Sequence, residues 1–223
     1  EGLALCSTVM DGGFADSVMC FTSSHYQTAE RQYRTPLEYG VQYPPDKQWT
    51  VTGAGAYLLG WKGGKVCITH STIGKVMDLG VKNPNDMGSA MAPAAADTLI
   101  QHFNDINRGL EDYDLILTGD LGRVGRNNLL ALLKENDIDA GEKINDCGIL
   151  IFGDNNKYGA GGSGCAASAT VVASVIIPKI IAGEYSRVLV IGTGALLNPL
   201  TVMQGESIPS IAHAVVIEKI KGE

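Results

Sequence analysis

The sequence predicts an α/β fold built from two related βαβαβ halves with mixed sheets, the first half incomplete. Runs of strand composition alternate with runs of helical spacing, the pattern of βα units on a mostly parallel sheet. A helix end, a glycine and a buried strand then occur twice. DGGFADSVMCFT (11–22) resembles IAGEYSRVLVIG (181–192) at an offset of 170, with Gly13 meeting Gly183 and Val18 meeting Val188. A further strand follows each in the same order, GAYLL (55–59) answering HAVVI (213–217) at an offset of 158. Generic helix-turn-strand corners also resemble one another, and at the level of sequence that alternative stays open.

In chain order, the opening EGLAL reads as the interior of a helix with no N-cap residue. Strands are expected at 18–23, 51–59, 66–71, 113–118, 149–152, 188–192 and 212–217, each bounded by Gly, Asn, Asp or Pro. Helical spacing marks 92–103, 127–135 and 163–181. The segment 27–48, rich in Tyr, Pro and Arg, is too long and irregular for an ordinary connection. Residues 158–178 carry no charge, but their first half is Gly, Ala and Ser, so a buried helix behind a glycine-rich turn is expected rather than a membrane span. Before Gly183 the second copy has two βα units starting near Tyr113, whereas only twelve residues precede Gly13. The expectation is that roughly 100 residues of the first copy lie outside this chain. The boundary then falls at residue 85, with 1–85 the remainder of the first half and 86–223 the second.

Composition narrows the function. The 24 acidic against 17 basic residues leave a net charge of −7, and no Lys/Arg-rich stretch occurs, which argues against a phosphate-tracking nucleic-acid protein. Five cysteines, odd in number and without a CxxC pair, indicate neither a disulfide framework nor a zinc site, and a reducing compartment is expected. No metal and no cofactor are expected.

Two related βαβαβ halves, each closed by further strands, match the plan of thiolase-like proteins. The strings MDGGFADSVMCFTSSHYQTAERQYRTPLEYG, MDLGVKNPNDMGSAMAPAAADT, YDLILTGDLGRVG, NDCGILIF, GAGGSGCAASAT and GTGALLNPLTVMQGESIPSIAHAVVIE narrow the match further. They resemble the stage V sporulation protein AD family, over nearly the whole chain. The resemblance implies a soluble, thiolase-like protein of spore-forming bacteria that binds dipicolinic acid (pyridine-2,6-dicarboxylate) for its uptake into the developing spore. It implies membrane-protein partners from the same sporulation operon and a cytoplasmic location peripheral to the forespore inner membrane. The missing strands would leave the faces of Val18, Cys20 and 51–59 uncovered, so pairing with another copy, a homodimer, or with a separate front fragment is expected.

The resemblance also implies what chemistry is lost. A thiolase-like enzyme needs a nucleophilic cysteine, a proton-moving histidine and oxyanion donors. Cys6 lies only five residues before Asp11, too near the end of its helix for the nucleophile, and reads as a packed thiol. Tyr158 or Gly159 stands near the position of the thiolase GHP histidine. Gly119 and Asp120 stand where condensing enzymes carry theirs, and Ser210 replaces the second cysteine. The expected protein is non-catalytic; the alternatives are a thiolase-superfamily acyltransferase or condensing enzyme with unconventional groups, and a scaffold for membrane partners.

The candidate ligand-binding residues are His213, Gly162, Ser163, Cys165, His25 and Arg31. His213 interrupts an apolar strand where the sister copy has Gly55, and it is either a site residue or a satisfied core histidine. Small residues around Gly162 and Ser163 leave backbone N–H groups bare at a helix start, either a seat for a carboxylate or a means of close packing. The same turn satisfies GxGxxG through Gly159, Gly161 and Gly164, but its spacing from the strands is wrong for a dinucleotide site. Cys165 either packs in the core or lines the same cavity. His25 and Arg31, with Arg34, offer cations to a dianion, or else surface ion pairs or a dimer contact.

Overall fold

In the computed structural model, the described residues are 1–27, 46–153 and 156–220. The chain opens with α1 (Gly2–Asp11), then β1 (Ser17–Ser24), β2 (Trp49–Thr50), β3 (Gly53–Gly60) and β4 (Val66–Ile73). The second part runs α2 (Met87–Ile106), β5 (Leu115–Thr118), α3 (Gly122–Lys134), β6 (Ile144–Asp146), α4 (Cys147–Phe152) and β7 (Gly162–Ser163). It continues with α5 (Cys165–Val171), a π turn (Val172–Ile176), α6 (Ile177–Ala182), β8 (Arg187–Ala195), α7 (Pro199–Met203) and β9 (Ser210–Lys219).

Four layers result. The main sheet, in the order β4-β9-β8-β5-β6, is mixed: β5 pairs in parallel with β6 and β8, whereas β9 runs antiparallel to β8 and β4. One face packs on α2 and α3 through Leu99, Leu129, Leu133, Ile116, Leu189 and Ile191. The other packs on α1 and the α5–α6 helix through Ala4, Val172, Ile176, Ile180, Val190 and Val215. Beyond that middle helical layer lies the antiparallel pair β1–β3, in contact with α1 and α5.

The internal repeat is visible in the strand registers. Val18 pairs with Leu59 and Thr22 with Gly55; their counterparts Val188 and Gly192 pair with Ile217 and His213. The two offsets read from the sequence therefore link equivalent ladder partners. The glycines at the corners agree, since Gly13 and Gly183 both take positive φ, +72° and +84°, to end a helix. β4, which precedes the expected boundary at residue 85, is an edge strand of the second copy's sheet.

One expected strand is a helix. The run 149–152 belongs to α4, and the strand is the preceding Ile144–Asp146. Asp146 ends that strand and caps the helix, its Oδ1 accepting the N–H of Ile149 (3.1 Å), and four apolar residues in a row do not by themselves distinguish strand from buried helix. The uncharged stretch forms α5–α6. By length and composition residues 165–182 could cross a membrane, but Ala166, Ala169, Val172, Ile176 and Ile180 are buried between the two sheets. His102 is a satisfied core histidine. Its ring lies between Thr72 Oγ1 and Tyr113 Oη, 2.7 Å from each, and burial pushes its pKa down to about 4.

Candidate functional site

A cavity of about 600 Å³ opens between the two sheets, against the carboxyl ends of β5 and β8 and the start of α5. Such a crevice, outside the carboxyl ends of parallel strands, is where α/β sheets place ligands. His213, Ser163 and Cys165 all contribute to its wall, so the structure brings together three of the residues singled out in the sequence. Gly55, the counterpart of His213, lines it too, and it has no room for a side chain because a Cβ would stand 2.7 Å from Ala169 Cβ.

The state of His213 is set by a glycine. The chain leaving β4 passes so close to β9 that a Cβ on Gly74 would meet Ala212 O at 2.0 Å, and only glycine fits. That approach lets the Gly74 N–H donate to His213 Nδ1 (3.1 Å). With Nδ1 an acceptor, the neutral ring carries its proton on Nε2, which makes Nε2 a donor. Burial lowers the pKa of His213 and favours that neutral form.

Asp120 is the residue the sequence reading missed as a ligand-site candidate. It follows β5 and stands half-buried in the cavity wall. Its Oδ1 accepts from Thr193 Oγ1 and its Oδ2 from the Gly164 N–H, both at 3.0 Å. Burial pushes its pKa up to about 7. The turn carrying it is pinned by Asp146, whose Oδ2 accepts from Thr118 Oγ1 and the Leu121 N–H, both at 2.7 Å. The detectable signal was an acidic residue directly after a parallel strand, in YDLILTGDL. Lys47, a buried cation of the wall, was hidden within the long irregular segment.

The glycine-rich turn is used differently from the expectation. Gly162 is packed behind the wall, where a Cβ would meet Val51 Cγ2 at 2.8 Å, and Gly164 lines the cavity instead. The amides there are engaged by the protein: Gly164 by Asp120, and Ala166 by Ser24 Oγ (3.0 Å). The seat suggested for a ligand carboxylate is therefore occupied by the protein's own carboxylate. Arg123 and Arg126 stand in the first turns of α3; Arg123 donates to the carbonyls of Gly153 and Gly159, bracing the same turn. His25 is exposed just beyond β1, outside the cavity wall, and Arg31 and Arg34 lie outside the described residues.

Of the thiols, Cys6 is buried on α1 as a core residue. Cys20 lines the cavity, but burial and the neighbouring Cys6 push its pKa up to about 11. Burial likewise pushes Cys147 well up. Cys165, first residue of α5, is the exposed one.

The family model for stage V sporulation protein AD matches residues 1–218. The chain is 52% identical, over 222 residues, to the stage V sporulation protein AD of Bacillus subtilis strain 168, covering 100% of this chain and 66% of that protein. Among solved structures, it is similar to 3-oxoacyl-[acyl-carrier-protein] synthase III from Aquifex aeolicus VF5 (TM-score 0.52, 14% identity, 97% of this chain and 62% of the other). The Thermus thermophilus synthase III gives a TM-score of 0.54 at 12% identity, with 100% and 64% covered. At these identities the structures speak to the fold, which is thiolase-like. The chain spans slightly less than two thirds of each of these proteins.

Proposed function

The chain belongs to the stage V sporulation protein AD family, and from that premise we propose that it binds dipicolinic acid in the cavity between its two sheets, without transforming it, for uptake into the developing spore. The observation that carries this reading is the Gly74 N–H on His213 Nδ1. A histidine held in the Nε2–H form donates a hydrogen bond to a carboxylate but cannot take a proton at that nitrogen from a thiol or hydroxyl. It serves as a donor to an anion and not as a general base at that nitrogen. The rest of the wall supports the same occupant. Lys47 supplies a cation to a chain of net charge −7, the hydroxyls of Thr22, Thr50 and Ser168 supply polar contacts, and Met87, Met91 and Val172 supply apolar surface for a planar ring. Delivery to membrane proteins of the same operon, from the cytoplasmic side of the spore's inner membrane, belongs to the same proposal.

One observation favours a rival. Cys165 is exposed in the cavity wall at the first position of α5, where a bound acyl group could reach its sulfur, so acyl transfer to it is chemically reasonable. Two measurements decide. Thermal unfolding with increasing pyridine-2,6-dicarboxylate should show a saturable upward shift. Incubation with acyl-coenzyme A followed by intact-mass spectrometry should show no adduct. An acylated Cys165 without a ligand-induced shift would replace the binding reading with the enzymatic one.

A further inference from the structure

We propose that Asp120 enters the complex as a neutral acid, so that the site binds its dianionic ligand together with one proton. This rests on the dipicolinate reading and concerns the proton state of that same site. Asp120 is half-buried and forms part of the cavity wall, beside the buried Asp146. Its two oxygens are held by Thr193 Oγ1 and the Gly164 N–H, which by themselves favour the ionised form but supply no countercharge, and burial outweighs them.

The charged and titratable groups around it come from every adjoining element. Asp146, between β6 and α4, and Glu1, before α1, are negative neighbours that raise its pKa. Cys147, at the start of α4, is kept protonated by burial. His213 on β9 is held neutral, Cys165 heads α5, and Lys47, before β2, is the cation of the wall. Among the described residues of the wall, a dianion meets the Lys47 ammonium and the carboxyl groups of Glu1 and Asp120. An ionised Asp120 would repel it, because like charges within a few ångströms disfavour joint ionisation. Its carboxyl already titrates near pH 7, so the ligand needs to displace the equilibrium only slightly. The balance is simple: the ionised Asp120, the dianion and one solvent proton give a complex in which Asp120 carries an O–H. That hydrogen can be donated to one ligand carboxylate while His213 Nε2 donates to the other.

The test is calorimetric titration of pyridine-2,6-dicarboxylate into the protein at pH 8 and at pH 6, each in buffers of different ionisation heat. At pH 8 the slope of heat against buffer ionisation heat should report nearly one proton taken up per ligand, falling towards zero at pH 6. Affinity should weaken about tenfold per pH unit above 7. Asp120→Asn should bind with no uptake and with an affinity insensitive to pH across this range. His213→Ala should bind more weakly and retain the uptake. Binding at pH 8 with no proton taken up, or uptake persisting in Asp120→Asn, overturns this inference and leaves the dipicolinate reading standing. Absence of binding in every buffer at both pH values overturns that reading and this inference with it.

Discussion

His213 and Asp120 face the same cavity, and each accepts a backbone N–H from another part of the chain: Gly74 fixes the tautomer of the histidine, whereas for the acid burial outweighs the Gly164 N–H and raises the pKa. His213→Ala removes one donor to a charged ligand and should weaken dipicolinate binding by about 1.5–3 kcal/mol, measured by titration. The same change leaves the Gly74 N–H unpaired, so the fold should lose about 1 kcal/mol, read from the melting temperature. Asp120 acts on stability with the opposite sign from a salt-bridged acid. Its folded-state pKa lies above the ordinary value of 3.8, at about 7. The stability belonging to its neutral form is therefore present below pH 4 and is lost as the pH rises through 7. Asn can keep the Gly164 N–H on its oxygen and turn its amide towards the Thr193 hydroxyl. In the absence of ligand, Asp120→Asn should therefore melt above the parent at pH 8, by roughly 2–4 kcal/mol of stability, with the gain vanishing near pH 4.

At the level of elements, the site depends on a contact between backbones. A Cβ on Gly148 of α4 would lie 1.9 Å from Gly162 O in β7, so the helix and the short strand touch without side chains between them. Gly148→Ala should cost about 1–3 kcal/mol, measured as a lowered denaturant midpoint, by forcing β7 away from α4. This contact explains what the sequence concealed. The repeated corner was legible because Gly13 and Gly183 mark helix ends and apolar strands follow them. The parallel pair β2–β7 was not, because two residues each from distant segments carry no periodicity. Nor was the fate of the glycine-rich turn, since its small residues suit close packing and anion binding alike. His213 stood out as a polar residue in an apolar strand, whereas Asp120 was noted only for the histidine it replaces.

For the whole molecule, the four layers leave one sheet face uncovered among the described residues. On the outer side of β1–β3, Met19, Phe21 and Leu58 are 59%, 75% and 77% exposed, an apolar patch of the kind that marks an interaction surface. The chain should therefore self-associate with rising concentration in light scattering, and Phe21→Ser with Leu58→Ser should reduce that association. A monomer at every concentration would contradict the expected homodimer. Crystals grown with pyridine-2,6-dicarboxylate show whether an unmodified dicarboxylate occupies the cavity between the two sheets. Electron density is expected for one planar ring there, with one carboxylate within hydrogen-bond distance of His213 Nε2 and the other of Asp120. An empty cavity with the ligand bound elsewhere, or density continuous with Cys165 Sγ, would contradict that placement.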